Sequence, residues 1–298
     1  MDISFIKGVI VPVVTPVDAE DRVVEKSYRQ VIEHVIQGGV HGVFALGSNG
    51  EFYGLDFEQQ KRAVEIAVDQ TAGRVPVYAG IGSITTRECV KCAIMAEAAG
   101  AQAITILPPM FISPNEDELY EHFRAIAAAT KLPALIYNNP DRCKVNVSAN
   151  LVEKMANNIP NMVGAKDSSG DLTLTSEYIR RTRGKDFRVM AGRDTMILGT
   201  MVYGGYGCVA ATANVAPQLV VSIYDKFMAG DMAGALDAQY ELAPLRIGFG
   251  LGSWPVVTKE AVRLLGFEVG DPIRPNAPCT EDNLAKLKAI LAKMSLIK

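Results

Sequence analysis

The sequence has no surplus of basic side chains. The 298-residue chain carries 30 Lys and Arg against 33 Asp and Glu, a formal net charge of −3, and no block of basic residues. A protein that binds nucleic acid needs a basic stripe to displace the counterions of the phosphates. The composition therefore argues against nucleic acid as a partner. With 49% hydrophobic and 21% charged residues it is typical of a globular enzyme.

The amino-terminal segment has no long hydrophobic run. Its apolar stretch, which begins at Gly8, covers only about nine residues, too few to span a bilayer, and no small-residue cleavage site follows it. We therefore expect a cytoplasmic protein that has no membrane partner.

Cysteine and histidine are scarce. The five cysteines include a single Cys-x-x-Cys, Cys89 and Cys92, inside a stretch that is typical of a helix. A structural zinc site needs a second such pair, and a redox pair normally begins a helix directly after a strand. We therefore expect Cys89 and Cys92 to be helix-surface thiols. The three histidines form no cluster in the sequence, so no metal site is predicted.

Eight apolar segments, separated by segments with helical spacing of their apolar residues, organise the chain. Most are continuous apolar runs, as in strands that are buried on both faces, and they cover 8–16, 42–51, 75–82, 103–111, 133–140, 162–169, 187–194 and 207–217. Eight such strand–helix units are typical of an α/β fold, the (β/α)8 or TIM barrel. We predict the barrel over 1–230 and a C-terminal helical extension over 231–298. The alternative, a doubly wound open sheet, needs a glycine fingerprint after the first strand, and 14–22 has none.

Lys166 is the most informative residue at the carboxyl ends of the predicted strands, where barrel enzymes place their chemistry. It follows the apolar residues 162–165. Desolvation favours the uncharged amine of a lysine, the form that attacks a ketone and makes a Schiff base. The alternative is an ion pair with Asp167 or another carboxylate at the rim, and position alone leaves both open.

Tyr137 closes the fifth predicted strand, which neighbours the sixth in a barrel. A phenol within hydrogen-bond reach of the lysine can move the protons that Schiff-base formation requires. The alternative is a packed tyrosine with its hydroxyl tied to the backbone. Together with Lys166, Tyr137 is predicted to be an acid–base partner.

The turn Gly47-Ser48-Asn49-Gly50-Glu51 ends the second predicted strand. Its backbone N–H groups and small polar side chains are suited to the carboxylate of a 2-oxo acid. The alternative is a turn that needs glycine only for its backbone angles.

These motifs, in this order, resemble those of the dihydrodipicolinate synthase / N-acetylneuraminate lyase family of class I aldolases. The resemblance rests on the turn at 47–51, Tyr137-Asn138-Asn139-Pro140, Gly164-Ala165-Lys166-Asp167 and Ala213-Asn214-Val215 on the predicted eighth strand. It implies that Lys166 forms the Schiff base, that Tyr137 relays protons, and that Ser48 and Asn49 hold the carboxylate. It also implies a homotetramer built as a dimer of dimers, with no metal or organic cofactor.

The sequence departs from the family pattern at positions that concern the substrate. Family synthases carry a tyrosine after strand 4 that enters the neighbour's proton relay, and Phe111 stands there in this chain. After the strand-7 glycine the sialic acid lyases have an acidic pair, of which this chain keeps only Asp194, preceded by Arg193. Arg142 matches the arginine that the synthases use for their second substrate. With Ser168, these residues complete the predicted substrate-binding set: Arg142, Ser168, Arg193 and Asp194.

The expected function is that of a Schiff-base-forming carbon–carbon lyase or aldolase. Its substrate would be a small 2-oxo acid, such as 4-hydroxy-2-oxoglutarate or a 2-keto-3-deoxy sugar acid, with pyruvate as product or donor. Because a phenyl ring cannot pass a proton, we expect Phe111 to make the chain a poor dihydrodipicolinate synthase. That synthase activity and a dehydratase of the same family stay open as alternatives, as does a 2-oxo acid sensor without turnover.

Overall fold

The computed structural model describes all residues from Met1 to Lys298. Eight parallel strands close into a barrel in the order of the sequence, with β8 beside β1. The strands are β1 (Gly8–Pro12), β2 (Gly42–Ala45), β3 (Val77–Ile81), β4 (Ala103–Ile106), β5 (Ala134–Asn138), β6 (Met162–Asp167), β7 (Arg188–Ala191) and β8 (Gly207–Val209). The predicted (β/α)8 barrel is thereby confirmed.

Helices cover the outside of the barrel and form the C-terminal part of the chain. They are α1 (Glu25–Gln37), α2 (Phe57–Thr71), α3 (Thr86–Ala98), α4 (Glu116–Ala128), α5 (Pro140–Cys143), α6 (Ala149–Asn158), α7 (Leu172–Arg181), α8 (Ile197–Val202), α9 (Pro217–Met228), α10 (Met232–Gly248), α11 (Val256–Leu264) and α12 (Glu281–Lys293). None of these helices is both long enough and apolar enough to cross a membrane.

Local signals in the sequence set the helix starts. The side chains of Asp56, Asn115 and Ser148 each accept a hydrogen bond from a backbone N–H in the first turn of α2, α4 and α6. Asn115 also forms a capping box with Glu118. The division into a barrel over 1–230 and an extension over 231–298 stays a prediction.

The predicted strands extend too far at their carboxyl ends. The first ends at Pro12 rather than Pro16, and the eighth at Val209 rather than Pro217. The remaining residues leave the hydrogen-bonded ladder and form the loops at the rim. Asn214 therefore lies in a 3₁₀ turn beyond β8, where its amide donates to the Pro12 carbonyl and accepts from the Val14 N–H.

The cysteine prediction was wrong. Cys89 is fully buried and Cys92 is 7% exposed, because both lie on the face of α3 that packs on the barrel. Burial raises the pKa of the Cys89 thiol to about 12, which makes it a poor nucleophile. These thiols belong to the apolar core.

Candidate active site

One cavity opens at the carboxyl ends of the strands, where the residues that follow β2, β5, β6 and β7 meet. It brings together all eight residues that the sequence analysis selected, namely Ser48, Asn49, Tyr137, Arg142, Lys166, Ser168, Arg193 and Asp194. Their shared position follows from the closed barrel, which turns the ends of all strands to the same side.

Lys166 lies inside the barrel, only 3% exposed, and is paired in register with Tyr137 on β5 and Met190 on β7. Its Nζ lies 3.7 Å from the centroid of the Tyr137 ring and 5.0 Å from that of the Phe44 ring. No carboxylate lies within ion-pairing distance of it. A buried ammonium without a counter-charge is costly, and no structural ion pair accounts for the position of this lysine.

Asp167 does not pair with Lys166, because successive residues of a strand point to opposite faces. Its carboxylate accepts hydrogen bonds from the Asn138 amide at 2.9 Å and from the hydroxyls of Ser169 and Thr175 at 2.9 and 2.5 Å. These contacts join β5, β6 and α7 on the outside of the barrel. The alternative interpretation of Lys166 as the partner of Asp167 was therefore wrong.

The Tyr137 phenol is surrounded by groups that change its acidity. Burial alone would raise the pKa of Tyr137, but the positive charge of Lys166 and hydrogen bonds from Ser48, Lys166 and Asn139 hold it below the ordinary value of 10. The Asn139 amide donates to the phenol oxygen at 3.0 Å. A phenol of lowered pKa gives up and takes back a proton more readily near neutral pH.

The turn that carries Ser48 and Asn49 lies directly against the end of β1. A Cβ at Gly50 would lie 2.9 Å from the Thr15 hydroxyl and 3.2 Å from the Val13 carbonyl, so only glycine allows this approach. The buried Asn49 Oδ1 has no hydrogen-bond partner in the protein. The side chain of Asn49 is thus available to a ligand. A turn that needed glycine only for its backbone angles would not require such a side chain.

Glu51, the last residue of the turn, was not selected from the sequence. Its backbone is left-handed, with φ of 52°, and its side chain is fully buried. The carboxylate accepts hydrogen bonds from Lys259 Nζ at 2.6 Å and from the Ile273 N–H at 2.8 Å. Glu51 therefore fastens the turn to α11 and to the segment that follows it.

Two of the predicted substrate-binding residues are engaged by the protein itself. The Arg193 guanidinium pairs with Asp141, and its Nε donates to the Ser168 carbonyl at 3.0 Å. The Asp194 carboxylate accepts from the N–H and the hydroxyl of Thr212 at 2.7 and 2.6 Å. Arg142, in contrast, is exposed at the cavity and forms no ion pair.

Among the further residues that line the cavity are three to which sequence reasoning gave no role: Asn139, Arg246 and Trp254. Asn139 follows Tyr137 by two residues, so it lies on the same side of the strand end, and this spacing is a signal in the sequence that could have indicated it. Arg246 lies in the last turn of α10 and Trp254 precedes α11. No strand-end pattern leads to these two, because they come from outside the repeating units.

Phe111 lies away from the cavity. It is 89% exposed, in the loop after β4, with a left-handed φ of 81°. Its neighbour Ile112 is 67% exposed. No group of three or more His, Cys, Asp or Glu side chains in the structure is arranged to hold a metal ion.

Comparison with known proteins agrees with this architecture. The model of the dihydrodipicolinate synthetase family matches residues 5–294. A 4-hydroxy-tetrahydrodipicolinate synthase of Methanopyrus kandleri is 35% identical over 98% of this chain and 97% of its own length. A second protein of that name, from Methanoculleus marisnigri, is 37% identical over 96% of this chain and 98% of its own length.

Solved structures give the same result. A prophage protein of the dihydrodipicolinic acid synthase family from E. coli K12, in complex with pyruvate, superposes with a TM-score of 0.94 at 31% identity, covering 98% of this chain and 99% of that one. The dihydrodipicolinate synthase of Thermotoga maritima superposes with the same TM-score at 26% identity, with the same coverage. The chain therefore belongs to the dihydrodipicolinate synthetase family and is a class I aldolase/lyase enzyme of that family.

Proposed function

We propose that Lys166 forms a Schiff base with the ketone of pyruvate, and that the enzyme makes or breaks a carbon–carbon bond at the methyl carbon of this adduct. The observation that carries the proposal is the buried, unpaired amine of Lys166 beside Tyr137. The neutral amine of a lysine is the nucleophile that adds to a ketone.

The proposed reaction follows from the groups around the amine. Lys166 Nζ adds to the ketone carbon, and the carbinolamine then loses water to give a protonated imine. Loss of a proton from the methyl carbon gives an enamine, which adds to an aldehyde, and hydrolysis releases the product and the free amine. Cleavage is the reverse sequence, in which the imine accepts the electron pair of the broken bond.

Tyr137 is the proposed carrier of the protons in these steps. The phenol can protonate the departing hydroxyl of the carbinolamine and later receive a proton back. The hydrogen bond from Asn139 and the charge of Lys166 stabilise the phenolate between the two transfers. Asn139 is thus a proposed positioning residue for the relay.

The carboxylate of pyruvate is proposed to bind at the turn of Ser48 and Asn49. The turn lies beside Tyr137, and the Asn49 amide, which makes no side-chain hydrogen bond within the protein, can donate its N–H groups to a carboxylate. Ser168 and Arg142 line the same cavity, so each is a candidate contact for the rest of the substrate. Arg193 and Asp194 are proposed to shape the cavity through Asp141 and Thr212.

Among the possible activities, the relatives support 4-hydroxy-tetrahydrodipicolinate synthase, the condensation of pyruvate with aspartate semialdehyde. This was only the alternative in the sequence analysis. A lyase that releases pyruvate from 4-hydroxy-2-oxoglutarate is the second candidate, and Phe111 favours it, because a phenyl ring cannot join a proton relay. The family resemblance also leads us to propose a homotetramer, and sedimentation velocity would measure the assembly. A cytoplasmic location is proposed from the short apolar run near the amino terminus.

Borohydride reduction in the presence of pyruvate tests the Schiff base. We expect one three-carbon adduct per chain, located on Lys166 by peptide mass spectrometry, and none in Lys166→Ala. Lys288→Ala is the matched control, since Lys288 is exposed and forms no ion pair. Labelling of Lys166→Ala to the extent of the control would refute the proposal.

A comparison of two assays separates the activities. Condensation of pyruvate with aspartate semialdehyde is measured beside release of pyruvate from 4-hydroxy-2-oxoglutarate, with the wild type and with Phe111→Tyr. A higher kcat/KM in the first assay supports the synthase. A higher value in the second, together with a gain of synthase activity in Phe111→Tyr, supports the lyase.

A further inference from the structure

Two side chains from the C-terminal part of the chain form one wall of the active-site cavity. The guanidinium carbon of Arg246 lies 5.2 Å from the centroid of the Trp254 ring. The indole in turn packs edge-on against Phe249, with 5.9 Å between ring centroids, and Phe249 is 1% exposed. Because Trp254 is backed by the core, it offers a fixed surface on which the flat guanidinium is held.

Arg246 has no counter-charge within the protein. Of the other charged groups of the cavity, Arg193 is neutralised by Asp141, and Asp194 is turned to Thr212. Arg142 is also unpaired, but it is exposed to solvent, whereas Arg246 is half-buried. Arg246 itself is half-buried and forms neither an ion pair nor a side-chain hydrogen bond. A partly desolvated guanidinium with five free donors at the wall of a ligand cavity is suited to receive an anion.

We propose that Arg246, held in place by Trp254, binds a carboxylate at the end of the ligand remote from the 2-oxo acid group. Ser48 and Asn49 would take the first carboxylate, and Arg246 the second, so that Arg246 determines specificity for an acidic over an uncharged chain end. A guanidinium pairs a carboxylate with two parallel hydrogen bonds, whereas a methyl or hydroxyl end leaves its charge uncompensated. This inference rests on the proposed function, because it takes the 2-oxo acid end to be at Lys166.

Trp254 is the only tryptophan of the chain, so its fluorescence reports on this wall of the cavity alone. The test is a fluorescence titration with 2-oxoglutarate and with 2-oxopentanoate, which differ only in a terminal carboxylate against a terminal methyl group. We expect the wild type to bind 2-oxoglutarate roughly 10- to 100-fold more tightly, the range of a charge-assisted hydrogen-bonded pair. Arg246→Gln should reduce this preference to within a few-fold, and Arg246→Lys should restore part of it, since lysine keeps the charge but not the paired donors.

Arg183→Gln is the matched control, because Arg183 is exposed, makes no ion pair and lies outside the cavity. It removes the same charge and should keep the wild-type preference. A wild type that binds both ligands alike, or an Arg246→Gln variant that retains the full preference, overturns the inference. Failure of the proposed function is a different result, namely the absence of a borohydride adduct on Lys166 in the wild type. The ratio of the two dissociation constants can be measured whether or not the adduct forms, because the fluorescence titration does not require turnover.

Discussion

The buried ion pair of Glu51 and Lys259 gives a prediction that links stability to the active site. Lys259→Met removes the ammonium and keeps most of the apolar length of the side chain. Glu51 then retains only the hydrogen bond from the Ile273 N–H. The side chains of the pair are 0% and 1% exposed, so water cannot replace the lost partner without opening the structure. Removal of one member of a buried pair costs about 3–5 kcal/mol, and we expect the free energy of unfolding to fall by that amount.

Double substitution isolates the cause of this loss. In Glu51→Gln combined with Lys259→Met, neither charge of the pair remains, and the glutamine oxygen can still accept from the Ile273 N–H. The double variant should therefore be more stable than Lys259→Met alone. Arg62→Met is the control, since it breaks the pair of Arg62 with Glu25 at the surface, where both side chains are more than a third exposed. An exposed pair contributes only about 0–1 kcal/mol.

Urea unfolding and steady-state kinetics together check the reasoning. Because Glu51 fastens the turn of Ser48 and Asn49, we expect Lys259→Met to raise the KM for pyruvate more than it lowers kcat. If Lys259→Met destabilises the protein no more than Arg62→Met does, or if the double variant is as unstable as the single one, the account of the buried pair is wrong.

Two further predictions concern the protonation of buried side chains. Tyr137→Phe should fold normally but lose roughly 10²-fold or more in kcat, the range of general acid–base catalysis. The wild-type rate should decline as the pH rises through the lowered pKa of Tyr137, and the variant's pH–rate profile should lack this decline. Unchanged turnover in Tyr137→Phe would mean that another group relays the protons. The second prediction concerns His122, whose pKa burial lowers from 6.5 to about 4. His122 takes up a proton at higher pH in the unfolded chain than in the folded one. Its contribution of about 3 kcal/mol to the free energy of unfolding is therefore fully present above pH 6.5 and is lost as the pH falls to 4. His122→Gln should flatten this part of the curve of unfolding free energy against pH, and an unchanged curve would contradict the assignment.

The elements of the fold could be predicted from the sequence because their causes are local. Continuous apolar runs mark strands that are covered on both faces, and side chains such as Asp56 and Asn115 cap helices a few residues away. The pairing of Lys166 with Tyr137 could also be predicted, because neighbouring units of a barrel place the ends of consecutive strands side by side.

The orientation of a side chain at a strand end could be decided only by the register. Lys166 and Asp167 are adjacent in sequence, and composition alone permits an ion pair between them. In the barrel, Lys166 faces inward beside Tyr137 and Asp167 faces outward to Thr175. One residue of shift would exchange the two faces, because the period of a strand is two.

The class of fold and the residues at which the chemistry is proposed follow from the amino-acid sequence, because periodicity and helix caps act within a few residues. Tertiary structure alone decided which distant groups complete the site. Glu51 finds its partner Lys259 208 positions away, and Arg246 and Trp254 reach the cavity from the C-terminal part of the chain, outside the repeating units. Contacts of this kind depend on how the C-terminal helices pack across the mouth of the barrel. That packing is the sum of many apolar contacts, and no periodic pattern in the sequence predicts it.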